Sequence, residues 1–237
     1  MKKIIYPLLL VACLTMQLHA QSRQEIKKIE AGQNLEQYVS SELLYIFEDF
    51  EDGAIVYNNG AGSRGKLNYN LLIGEMQFID PVTNEILSLA NVREVSAVSI
   101  AKRFFVPFHI YNGEFMEVLA EGTNWLAVKR KTIAIPYGKE GPYGAVFANS
   151  SIESVQNISH SGMQYNIPVS NYQSISSQKL YYLVYNGKET LVKNEKSILN
   201  TYPRSQRPII EQFIKDNNID TKEEADLVRL IHFCNQL

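Results

Sequence analysis

Residues 104–120 read Phe-Phe-Val-Pro-Phe-His-Ile-Tyr-Asn-Gly-Glu-Phe-Met-Glu-Val-Leu-Ala, and this stretch decides the fold class. Phe104, Val106, Phe108 and Ile110 recur every second residue up to Asn112-Gly113, and Met116, Val118 and Ala120 resume the pattern beyond it. A period of two is the spacing of a strand with one buried face, and Asn-Gly tolerates the positive φ of a type I′ turn. The stretch therefore predicts a β-hairpin. The same turn chemistry recurs at Asn186-Gly187, between alternating runs at 180–185 and 189–192. Upstream, Leu67, Tyr69, Met76 and Phe78 predict a half-buried hairpin whose polar side carries Lys66, Asn68, Glu75 and Gln77. From Leu43 to about Ile135 short runs of this kind are broken by Gly, Asn, Asp and Pro, the pattern of consecutive antiparallel strands.

The flanks differ in character. Residues 21–42 are polar and weakly periodic and read as a lead-in segment, partly helical or disordered. Residues 149–179 are rich in Asn, Ser, Gln and Tyr and read as irregular edge strands, since a structureless loop of about thirty residues is uncommon inside a compact domain. After Asn194 the pattern turns helical. Asn194 caps a short helix that stops before Pro203, and Ser205 caps a second with Ile210, Phe213 and Ile214 on one face, ended by Asn217-Asn218. Thr221 and Glu224 form a capping box for a last helix running to about Asn235, with Leu227, Leu230, Ile231 and Cys234 on its buried side. The expectation is an α+β protein: a mainly antiparallel β-rich domain over 43–192 and a C-terminal module of three short helices over 195–237.

The amino-terminal end predicts export. Lys2 and Lys3 form a positive n-region, Ile4 to Leu14 is an apolar run too short to span a bilayer, and Leu18-His19-Ala20 offers a cleavage site before Gln21. Residues 1–20 thus read as a signal peptide. Leu10-Val11-Ala12-Cys13 also fits a lipobox, in which case a lipid on Cys13 anchors the chain. The expected location is the periplasm or the outer membrane, with no transmembrane segment in the mature chain.

Charge and residue usage narrow the chemistry. The chain carries 23 Lys and Arg against 25 Asp and Glu, and the signal segment removes two lysines and no acid, which argues against a nucleic-acid partner. The basic triplet Lys129-Arg130-Lys131 lies in a strand-like run and reads as a solvated strand face. With Cys13 removed, Cys234 has no disulfide partner, and its helical register predicts a buried, unreactive thiol. His109, His160 and His232 are far apart and lack metal-ligand spacing. Ser159-His160-Ser161-Gly162 lacks the glycine pattern of a nucleophile elbow and reads as loop. Glu48-Asp49 and Glu51-Asp52-Gly53 bunch carboxylates around Phe50 without calcium-loop spacing and read as a solvated turn, and Gly60, Gly62 and Gly65 read as a flexible loop. The tyrosines and Trp125 fit a half-buried sheet as well as a sugar- or peptide-stacking platform, and Tyr181 and Tyr182 must point to opposite sides of one strand. No catalytic residue, metal ligand or cofactor is assigned.

Leu67-Asn68-Tyr69-Asn70 and Gly74-Glu75-Met76-Gln77-Phe78-Ile79 carry a resemblance, continued at Glu117-Val118-Leu119, Tyr143-Gly144, Tyr202-Pro203 and Asp226-Leu227. In this ordered set the chain resembles a group of uncharacterised exported proteins of Bacteroidota. It departs from them after Tyr143-Gly144, where it has Ala145-Val146-Phe147-Ala148-Asn149 in place of a Gly, Ser and Thr stretch. The resemblance implies origin and export and carries no activity. The expected function is a non-catalytic cell-envelope protein that binds another envelope component through sheet edges or the helical module. The alternative is a hydrolase or carbohydrate-binding protein with a site assembled from scattered residues.

Overall fold

The computed structural model describes residues 23–26, 35–108, 114–136, 139–140, 146–147 and 173–237. The signal segment with Cys13, His109, the Asn112-Gly113 turn, Tyr143-Gly144 and the run 149–172 with its Ser159-His160 pair lie outside them. The strands are β1 (Arg23–Ile26), β2 (Glu51–Tyr57), β3 (Gly62–Asn70), β4 (Glu75–Ile79), β5 (Ile86–Ser88), β6 (Val95–Ile100) and β7 (Arg103–Pro107). They continue as β8 (Phe115–Ala120), β9 (Asn124–Pro136), β10 (Lys139–Glu140), β11 (Val146–Phe147), β12 (Gln173–Tyr185) and β13 (Lys188–Leu191). The α-helices are α1 (Ser41–Leu44), α2 (Glu195–Leu199), α3 (Arg207–Asp216) and α4 (Glu224–Cys234).

The protein is α+β and β-rich, with an 11-stranded sheet in the order β1-β12-β9-β8-β7-β6-β2-β3-β4-β5, β13 pairing β12 as well, and a separate β10-β11 pair. Every described pairing is antiparallel. Leu67↔Phe78 and Tyr69↔Met76 form the expected hairpin, and Pro107↔Phe115 makes β7 and β8 neighbours. Asn186 and Gly187 have φ of 48° and 74°, the positive values a type I′ turn requires. The sheet curls strongly. The Tyr69 hydroxyl on β3 donates to the Phe115 carbonyl on β8, and Thr132 N–H on β9 donates to the Leu71 carbonyl just past β3, although β3 lies four and five places from those strands in the order.

Curling changes which residues are buried. Phe105, not Phe104, fills the inside of β7: Phe105 is 1 % exposed and Phe104 51 %. The polar side of the β3-β4 hairpin is buried too, because residues 45–49 lie against it. The Asn68 carboxamide accepts from Phe47 N–H and donates to the Phe47 and Asp49 carbonyls, while Asn70 donates to Glu36 and Gln77 and accepts from Leu72 and Ile73 N–H. Asn68 and Asn70 are fully buried, and each carboxamide replaces the water its burial removes. The acidic run is only in part a turn. Glu48 and Asp49 are exposed, but Glu51 to Gly53 begin β2. A Cβ on Gly53 would lie 2.6 Å from Leu67 Cδ1 and 2.7 Å from the Ser99 carbonyl, so glycine is what lets β2 pass between β3 and β6. Gly62 and Gly65 belong to β3, not to a loop.

At the other edge, residues 173–179 are no irregular edge strand. They are the first half of β12, which pairs β9 from Gln173↔Pro136 to Tyr185↔Asn124. Part of the lead-in, Arg23–Ile26, forms β1 on the far side of β12, where residues 173–176 leave ladder groups free. The helices pack on one face over Leu126, Val128, Tyr181 and Leu183. Asn194 caps α2 in a full capping box with Ser197. Ser205 does not cap α3. That helix starts at Arg207 after Gln206, with Pro208 in its first turn, where a missing N–H costs nothing. Its end is as expected, at Asn217 with Asn218 at φ 49°.

Asn235 fastens the end of α4 to the β8-β9 hairpin. Its side chain accepts from Asn124 N–H at 2.8 Å and donates to the Asn124 and Glu121 carbonyls. Gly122, at φ 154°, leaves the space this needs, since a Cβ there would come within 2.3 Å of Asn235 Nδ2. Cys234, one residue earlier, is 4 % exposed in the helix-sheet core beside the Tyr202 hydroxyl, and burial pushes its pKa up to about 11. Alkylation of this thiol is expected to be slow in native buffer and fast in denaturant. Equal rates in an intact-mass time course would show that α4 does not cover it.

Candidate functional site

Cross-strand register places Ile55, Val98, Phe105, Glu117, Val128 and Tyr181 in one row across β2, β6, β7, β8, β9 and β12. One carboxylate therefore stands in an apolar row. Arg103 and Arg130 lie two residues from Phe105 and Val128, so the two-residue period brings both guanidinium groups to the face of Glu117. Arg103 Nε and Nη2 donate to the two Glu117 oxygens at 2.5 Å each, and Arg130 Nε donates at 2.7 Å. Glu117 is 7 % exposed. The Arg103 guanidinium also lies 5.1 Å from the centre of the Phe47 ring.

Arg130 continues the network to the helices. Its Nη2 donates to both Glu224 oxygens at 2.9 and 3.0 Å, while Lys179 Nζ and the Tyr181 hydroxyl donate to Glu224 at 3.4 and 3.2 Å. Here the expected capping box fails. Glu224 is the first residue of α4 and faces the sheet, Glu223 takes the cap position without a side-chain bond, and Asp226 accepts from Asp220 N–H instead. The attraction of buried Arg130 outweighs the bond to a backbone N–H that a capping box would supply. The basic triplet is likewise no solvated face: Lys129 is 6 % exposed and bonded to Glu114, and the Arg130 side chain is 15 % exposed. Alternation sends Lys129 to the face opposite Arg130, where burial and then neighbouring Lys131 push its pKa down to about 8.

The belt of charge separates two cores on one face: Ile55, Leu67, Tyr69, Val98, Ile100 and Phe115 on one side, and the helix-covered Leu126, Val128, Leu183, Ile210, Leu227 and Leu230 on the other. Burial alone would raise the Glu224 carboxyl pKa, but the Arg130 hydrogen bonds and charge, with Lys179 and Tyr181, leave it below the ordinary carboxylate value. A carboxylate with a depressed folded-state pKa binds its proton more readily when unfolded. Its stabilising effect is therefore complete above the unfolded-state value near 4.5 and is lost as pH falls below that towards the folded value. The thermal midpoint of Glu224→Gln is expected to lie below that of the parent at pH 7, with the gap closing by pH 3. A gap that stays constant would mean that Glu224 does not act through its charge.

The helices also present an apolar groove of about 490 Å³ between α3 and α4, lined by Pro208, Ile209, Gln212, Phe213, Asp216, Asn217 and Phe233. Phe213 and Phe233 stack with ring centres 4.0 Å apart and planes at 8°, and Ile209 is 50 % exposed. Asp216, bonded by Gln212 Nε2, sets a carboxylate beside the groove, while the Arg229 guanidinium donates to the Asn217 carbonyl and Oδ1 at the end of α3. Periodicity marked Phe213 as a core position, but only the α4 crossing reveals its partner Phe233.

The remaining sequence candidates are dispersed. His232 is exposed on α4, Asp52 pairs with Lys66 at 3.0 Å, and Tyr181 and Tyr182 enter cores on opposite faces of β12. Trp125 packs with Phe108, Met116 and Tyr182. Among the described residues, no three His, Cys, Asp or Glu side chains gather as a metal site, and no helix is long and apolar enough to cross a membrane. No protein-family model, curated protein or solved structure matches the chain.

Proposed function

We propose that this is an exported, non-catalytic protein of the bacterial cell envelope that binds another envelope protein through the α3-α4 face of its helical module. Export rests on Lys2-Lys3, the apolar run to Leu14 and the Ala20 cleavage site, with the resemblance to exported Bacteroidota proteins beside them. The observation that carries the binding reading is the groove: a stacked aromatic pair flanked by exposed Ile209 and bordered by the Asp216 carboxylate. Apolar walls beside one exposed carboxylate suit a segment with an apolar anchor and a Lys or Arg placed to meet Asp216. The ionisable groups of the belt are engaged with one another and hold the helical module in register.

Crosslinking in intact cells followed by purification of the tagged protein tests this reading. Ile209→Asp, at an exposed position, is expected to reduce capture of a specific envelope partner at least tenfold while leaving the thermal midpoint unchanged. Undiminished capture, together with turnover of a glycan, peptide or ester that a single carboxylate or serine substitution abolishes, would replace this reading with the hydrolase.

A further inference from the structure

The sheet ends at β5, and hydrogen-bond parity fixes what that edge offers. Asp80 N–H donates to the Glu85 carbonyl and Leu89 N–H to the Met76 carbonyl, which makes Ile79↔Ile86 and Gln77↔Ser88 the widely spaced pairs of the β4-β5 ladder. Leu87 is consequently bonded to Phe78, and Ile86 and Ser88 turn their N–H and C=O groups to the open side. Edge strands are ordinarily guarded by Lys, Pro or a charge. From Ile86 to Leu89 this edge carries none, and its exposed apolar side chains are Ile86 at 51 % and Leu87 at 38 %, with Val82 at 90 % in the adjoining turn.

We propose that β5 pairs antiparallel with β5 of a second copy of this chain about a two-fold axis through Leu87. The edge is complementary to itself in that register. Ile86 and Ser88 of one copy exchange both backbone bonds with Ser88 and Ile86 of the other. Leu87 meets its own counterpart as a close, non-hydrogen-bonded pair, and Glu85 falls opposite Leu89, so no like charges are opposed. A shift of one residue would point bonded groups at each other's backs. The strand is only three residues long, well short of the roughly 1,000 Å² a stable interface buries, so association is weak and concentration-dependent. The inference is independent of the helix-face reading.

The register supplies its own test. A close pair has Cα atoms about 4.5 Å apart, within disulfide range. In full chain carrying Cys13→Ser, with Cys234 left in its core, Leu87→Cys is expected to form an oxidised dimer at least ten times faster than Ile86→Cys. Sedimentation of the unsubstituted protein should show dimer growing with concentration, and Ile86→Lys should remove it without moving the thermal midpoint. Equal oxidation rates, or a monomer at every concentration up to the millimolar range, would overturn the proposal. Since Ile209→Asp reports on the other face, either result can fail while the other stands.

Discussion

Leu230→Asp is expected to undo the docking of the helical module. Leu230 is fully buried beside Leu227, Ile231 and the Leu126-Val128 side of β9. An isolated carboxylate there must stay charged in an apolar site, take up a proton, or drag α4 into water, and each course costs several kcal/mol, on the order of 4 or more. Short helices hold their form by packing their apolar stripe, so α3 and α2 should loosen with α4. Urea unfolding followed by far-UV circular dichroism checks this. Leu230→Met keeps volume and apolarity and should cost less than about 1.5 kcal/mol. If the two variants unfold at the same urea concentration, the module does not rest on this contact.

Glu117→Ala is the second large effect. It removes one carboxylate that two guanidinium groups share, which among the described residues leaves Arg103 with its ring contacts and Arg130 with Glu224. Breaking a buried ion pair from one side typically costs 3–5 kcal/mol, because the remaining charge loses both its partner and its water. About 3 kcal/mol is expected here, since Arg103 can still reach solvent at 30 % side-chain exposure. A cycle with Arg103→Ala separates the pair from its surroundings: the double variant should be less destabilised than the two single losses added together. Strict additivity would show that the close contact has no energetic coupling.

What could be read from sequence was local. The β3-β4 hairpin, the Asn186-Gly187 turn, the Asn194 cap and the Leu227-Cys234 stripe each follow from residues within one turn or one strand of each other. The misread positions depend on distant partners. Arg130 and Lys129 look like a solvated strand face until Glu117, Glu114 and Glu224 are brought to them, the last from 94 residues away. Asn68 looks solvent-facing until residues 47–49 cross it. Glu224 satisfies a capping-box pattern, and only the strand beneath the helix shows why it bonds elsewhere. The α3-α4 groove was invisible for the same reason, since Phe213 and Phe233 lie on different helices.

The meander connectivity also sets an order of events in time. Between β2 and β9, most strands pair with the next one along the chain, so each hairpin can close over a short loop soon after its second strand is available. A chain that emerges amino-end first can therefore lay down this sheet as it arrives. β1 is the exception: Arg23 must wait for Ser176. The earliest of the described strands is thus among the last to be paired, and until β12 is made its backbone groups must find other partners.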